Sequence, residues 1–125
     1  MHPTHYLRLE GLAALAAAVA AYGWLGGPWW LFLVCFLAPD LSMLAYLAGP
    51  RAGSVGYNVV HVYALPLGLA GVSVWAGVPL GLELAAIWAA HIGADRLAGF
   101  GLKFESGFKP THLQPAPPVA PEPTD

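Results

Sequence analysis

The chain has 125 residues, room for one domain, and is 58% hydrophobic but only 10% charged, with a mean hydropathy of +0.61. Soluble domains carry about 25% charged residues, so the composition excludes a well-solvated surface and points to an integral membrane protein whose partner is the lipid bilayer. The net charge of −2 argues against a polyanionic partner, and no nucleic acid is expected. A single cysteine, Cys35, excludes an intramolecular disulfide and a cysteine-based zinc site. Inside an apolar run it reads as a small buried hydrophobe.

Met1–Tyr6 is short and polar. Leu7–Trp24 is an Ala/Leu run and the first of four expected helices. A basic flank and small residues near Ala20–Ala21 also fit a signal peptide. Glu10, at the front of the apolar run, favours a retained helix. Leu25–Pro28 is a turn, and Pro28 suits the first position of a second helix that reaches about Ala48. Pro39 within it has no N–H and clashes with the carbonyl of Cys35, which predicts a kink or break just before Asp40.

Gly49–Gly53 forms the next turn. The third helix covers about Ser54–Gly77, with Ser54, Asn58, His61, Leu65 and Gly68 on one face and a kink at Pro66. The fourth covers about Pro79–Leu102. There Gly81, Ala85, Ala89 and Gly93 recur every four residues, a row that lets another helix come close. Two residues turn a helix by about 200°, so the row lies roughly opposite His91 and Asp95. It suits a compact bundle or a homodimer through that face. Each helix has about 20 residues, enough for a hydrocarbon core of about 30 Å.

The predicted fold is therefore all-α, a four-helix transmembrane bundle over residues 1–102. An ordered cytoplasmic tail over 103–114 and a disordered proline-rich end over 115–125 complete it. Arg8, Arg51, Arg96, Lys103 and Lys109 all fall on the side of the termini, and the turns at Leu25–Pro28 and Gly77–Pro79 hold no basic residue. The positive-inside rule then places both termini in the cytoplasm. Trp24, Trp29, Trp30 and Trp75 form an aromatic belt at the far interface. Tyr6, Tyr46, Tyr57, Phe100 and Phe104 form one near the cytoplasm.

At about 1.5 Å per residue, Asp40, His61, His91 and Asp95 fall roughly 10–17 Å below the cytoplasmic helix ends. Ionisable groups at that depth are costly and need partners or water. His91 and Asp95 are one helical turn apart and share a face. Asn58 lies on the same face as His61. Glu10 and Arg96 lie above, as each other's best-placed opposite charge. One reading is a divalent-metal site with His61, His91, Asp95 and Asp40 as ligands, zinc being the first guess. The others are a hydrogen-bonded structural core, and ion or proton passage. Glu83 stands alone near the far interface. The sequence holds no phosphate-cradling glycine loop, nucleophile elbow or heptad repeat.

Leu7–Gly11 (LRLEG), Leu37–Leu41 (LAPDL), Tyr57–His61 (YNVVH), His91–Leu102 (HIGADRLAGFGL) and Gly107–Leu113 (GFKPTHL) occur in this order. Together they resemble the bacterial family catalogued as domain of unknown function 4260. The resemblance covers about Leu7–Leu113 and implies a small protein of the bacterial inner membrane, with no established activity. It departs from the family pattern at Pro110, where an acidic residue is usual. A weaker resemblance, through Pro39–Asp40, His61 and the His91/Asp95 pair, is to inner-membrane metal-dependent hydrolases. This chain lacks that pattern's second acidic or histidine residue after Pro-Asp, and its Arg-Gly before the middle histidine.

Overall fold

The computed structural model describes residues 2–100. They form helices α1 (Pro3–Leu25), α2 (Trp29–Cys35), a 3-10 helix η1 (Ala38–Ala48), α3 (Pro50–Val60), α4 (Ala64–Ala76) and α5 (Pro79–Ala98). No strand occurs among the described residues. The expected tail over 103–114 and the proline-rich end over 115–125 lie outside them, and so do Lys103, Phe104, Lys109 and the Gly107–Leu113 motif.

The helix starts and stops follow from caps and prolines. α1 begins at Pro3, earlier than the apolar run suggests. His2 Nδ1 accepts the Thr4 backbone N–H at 3.2 Å, and Pro3 has its φ preset for a first turn. α1 ends at Gly26, whose φ of 74° is the left-handed cap that glycine adopts without strain. The second expected helix is divided. Pro39 offers no donor to the Cys35 carbonyl, so the chain tightens into i→i+3 bonding, with Asp40 N–H on the Leu37 carbonyl at 3.0 Å. The Ser42 hydroxyl closes the same turn by donating to the Pro39 carbonyl at 2.8 Å.

The third expected helix is divided as well. α3 and α4 meet at a bend of 43° across residues 61–63. Pro66 removes the donor that the Val62 carbonyl would otherwise use, so the break sits one turn ahead of the proline. α5 stops at Ala98, short of the expected Leu102. Gly99 takes a left-handed φ of 94°, and Phe100 N–H returns to the Asp95 carbonyl at 2.8 Å.

α5 is the common neighbour of α1, α2 and α4, while α3 packs mainly on η1. The α1–α5 contact is a backbone approach. A Cβ on Gly93 would sit 2.8 Å from the Gly11 carbonyl, and one on Gly11 would sit 2.5 Å from Arg96 Cβ. At the other end of α5, a Cβ on Gly81 would collide with the Ser73 hydroxyl of α4. The small-residue row of α5 thus meets neighbours within one chain, and Gly81, Ala85 and Gly93 are buried there. The opposite face, with His91 and Asp95, turns toward η1 and the end of α3.

Trp29–Ala48 is a run of 20 residues with a mean hydropathy of 2.0, long and apolar enough to cross a membrane. α3 and α4 reach that standard only together, as a bent pair. α1 carries Arg8 and Glu10, and α5 carries Glu83, Asp95 and Arg96. Neither qualifies on length and composition.

Candidate metal centre

Asp40, His61, His91 and Asp95 bring one ligand atom each to a common point, no two more than 4.8 Å apart. They arrive by three local devices. The proline break places Asp40 in the first turn of η1. His61 is the C-cap residue of α3, at the break before α4. His91 and Asp95 stand one turn apart on α5.

The distances are specific. His61 Nε2 lies 3.3 Å from Asp40 Oδ1 and 3.5 Å from Asp95 Oδ2. His91 Nε2 lies 3.1 Å from Asp40 Oδ1 and 3.3 Å from Asp95 Oδ2. The two Nε2 atoms are 3.2 Å apart. Ligands at about 2.0–2.1 Å from a tetrahedral zinc ion are about 3.3–3.4 Å from one another. The five histidine-containing edges therefore have tetrahedral length. Hydrogen bonds of a charge-assisted network would be shorter, at about 2.7–2.9 Å.

The tautomer of His61 follows from its partner. Its Nδ1 lies 2.8 Å from the Tyr57 carbonyl, which can only accept, so Nδ1 carries the proton. Nε2 of the neutral ring then presents a lone pair to two carboxylates and to a second imidazole. These lone pairs repel unless positive charge lies among them. This is also how metal-bound histidines are oriented, through a carbonyl on the far nitrogen.

Neighbouring groups fix the His61 end. The Tyr57 ring stacks on His61 with centroids 3.7 Å apart and planes 8° apart, and its hydroxyl donates to Asp95 Oδ2 at 3.4 Å. Trp88 Nε1–H donates to the Val60 carbonyl at 2.7 Å, and Arg96 donates to the His61 carbonyl at 2.8 Å. Both carbonyls sit at the end of α3, where a helix has no amides left to offer. Side chains of α5 thus replace the bonds lost at the break. On the other side, the Phe36 ring meets His91 edge-on at 5.4 Å. His91 Nδ1 is buried, and the His91 ring interacts with the Phe36 backbone as well.

The wider set of expected residues does not all converge. Asn58 lies on α3 one turn before His61 and is not among the four converging groups. The expected Glu10–Arg96 pair does not form among the described residues. Arg96 is buried and spends its guanidinium on the carbonyls of His61 and, at 3.1 Å, Phe100, while Glu10 is exposed on α1. The carbonyls left without amide partners at the ends of α3 and α5 were the nearer demand. Tyr57, expected in an aromatic belt, is instead a buried wall of the centre. Its signal was available, since Tyr57 precedes His61 by one helical turn.

The fold and this constellation define the class: an all-helical protein with a buried His/Asp centre at a helix break. The chain belongs to the family described as Domain of unknown function (DUF4260), which matches residues 4–115. No curated protein and no solved structure matches it.

Proposed function

We propose that this is an integral protein of the bacterial inner membrane whose Asp40, His61, His91 and Asp95 bind one divalent cation, zinc in the first instance. The observation that carries the reading is the set of five ligand–ligand distances between 3.1 and 3.5 Å among two imidazole Nε2 atoms and two carboxylate oxygens. Two imidazoles and two carboxylates suit a borderline ion such as zinc, and the two negative charges balance its own. A cation also answers the cost of placing carboxylates among apolar helices.

The membrane part rests on the Trp29–Ala48 run and on large apolar side chains left outside the packed core. Trp24, Leu47 and Trp75 are 86%, 89% and 89% exposed. Four spans with both termini cytoplasmic are the arrangement that best accounts for the one-sided basic residues. Four protein donors would fill a tetrahedral cation, so an activated water would need one of them displaced, and on that condition a membrane-bound metal-dependent hydrolase is the enzyme reading.

Metal analysis of the purified chain tests the central claim. The wild-type protein should carry about one equivalent of a divalent metal. His91→Ala should lose it, and Glu83→Gln, remote from the centre, should keep it. A metal-free wild-type protein that takes up neither zinc nor manganese on dialysis would defeat the reading, and leave a purely hydrogen-bonded core as the account.

A further inference from the structure

We infer that Asp40 is the displaceable ligand of this centre, and that its corner is where an external anionic oxygen, of a carboxylate or a phosphate, reaches the cation. The inference rests on the metal-binding reading above.

The four donors are not held alike. His91 and Asp95 share one helix, and the segment between them includes the wholly buried Ile92 and the close-packed Gly93. His61 is held three ways, by its own Nδ1–H on the Tyr57 carbonyl, by Arg96 on its carbonyl and by the stacked Tyr57 ring. Asp95 has the Tyr57 hydroxyl as well as the imidazoles. Asp40 arrives on a 3-10 segment, whose hydrogen bonds are poorer than those of an α-helix. Its Oδ1 faces the two imidazole Nε2 atoms, at 3.3 and 3.1 Å.

Exposure follows the same order. The side chains of His61 and His91 are 0% and 2% exposed, Asp95 is 19% and Asp40 is 35%. A carboxylate that open cannot face hydrocarbon, so the Asp40 corner meets water. Tyr57 covers His61 and Phe36 covers His91, so the Asp40 corner is the most open of the four.

Charge selects the incoming group. Asp40 and Asp95 together neutralise a divalent cation. Replacing Asp40 by a neutral donor would leave net charge in an apolar site, whereas another anionic oxygen leaves the sum unchanged. The exchange breaks one cation–carboxylate bond and forms one cation–oxyanion bond, with no redox change. The released Asp40 carboxylate turns to solvent.

Cobalt(II) substituted into the full chain in detergent reports coordination through its visible absorption bands. Inorganic phosphate or acetate should shift the wild-type bands with saturation. A response to one anion alone identifies that class as the ligand, and a response to both supports a general oxyanion site. Asp40→Ala and the isosteric Asp40→Asn should retain cobalt, with affinity weakened by no more than about 100-fold, the range of an outer-shell partner. Both should respond at lower anion concentration than the wild type. His91→Ala should bind no cobalt. If the wild-type chain binds cobalt but its bands ignore both anions, or if both Asp40 variants lose cobalt as completely as His91→Ala, Asp40 is a fixed ligand. The inference then falls while the metal site stands. A wild-type chain that binds no cobalt overturns both.

Discussion

Arg96 illustrates how a charge can be structural through backbone carbonyls rather than through a salt bridge. It is 8% exposed, and it links the C-terminal carbonyl region of α5 to the His61 carbonyl across the helix break. Hydrogen bonds to a charged donor contribute about 1.5–3 kcal/mol each. Arg96→Gln should therefore destabilise the chain by at least about 2 kcal/mol in denaturant unfolding. Glu10→Gln should change stability by less than about 0.5 kcal/mol, as an exposed substitution. The double variant should be additive, because the two side chains share no contact. A coupling energy above about 0.5 kcal/mol would show that they interact after all. The sequence made Arg96 conspicuous as a lone cation near Asp95. It did not disclose the carbonyl partners, because a backbone acceptor leaves no residue type to search for. His61, His91 and Asp95 were legible for the opposite reason: ionisable side chains in apolar helices are rare and stand out.

At the scale of elements, α1 and α5 meet where neither has a side chain. A methyl group on Gly11 would fall 2.7 Å from the Leu97 nitrogen, and one on Gly93 would fall 2.7 Å from the Leu15 nitrogen. These neighbours are backbone and cannot rotate away. Gly11→Ala and Gly93→Ala should each force the helices apart and cost about 1–3 kcal/mol, the usual range for overpacking. Gly68, in the middle of α4, has open space around its missing Cβ, so Gly68→Ala should be neutral or stabilising by about 0.5–1 kcal/mol. Thermal unfolding in detergent of the three variants checks the contrast, and equal effects would mean that the α1–α5 approach is not close. The row of small residues on α5 was readable from spacing alone, as was the break at Pro39, whereas a kink was expected at Pro66 and the break falls ahead of it. The 3-10 course of η1 was not, because α and 3-10 turns share the same residue preferences and differ only in which carbonyl an amide selects. Gly11 was missed as a contact because nothing in a single helix says which glycine its neighbour will use.

For the molecule as a whole, α3 and η1 form one packed unit, and α5 with α1, α2 and α4 another. The His/Asp centre draws one acid and one histidine from the first unit and its edge, and the other pair from α5. That meeting was legible because equal depth along separate helices can be counted from turns. Four apolar runs were visible, yet α1 and α5 do not qualify as spans by length and composition, α5 because it carries Glu83, Asp95 and Arg96. The proposed four-span topology makes its own prediction. Reporter fusions after residues 53 and 102 should both read cytoplasmic, and one after Gly77 should read periplasmic. A periplasmic signal after residue 102 would refute the four-span arrangement with cytoplasmic termini.

The contact between Gly11 and Gly93 also sets a timetable. Synthesis at about 5–20 residues per second delivers the second glycine roughly 4–16 s after the first. During that interval α1 exists without the helix it was shaped for, its glycine notch facing whatever lies nearby. α4 waits in the same way, for a shorter time, with Ser73 aimed at a glycine still to come. The last described helix is thus the one on which earlier segments settle, and the Asp95 and His91 donors arrive with it. A ribosome stalled before α5 would leave helices with half a centre, unable to hold a metal and with exposed small-residue faces. Such a nascent chain is a natural target for quality control.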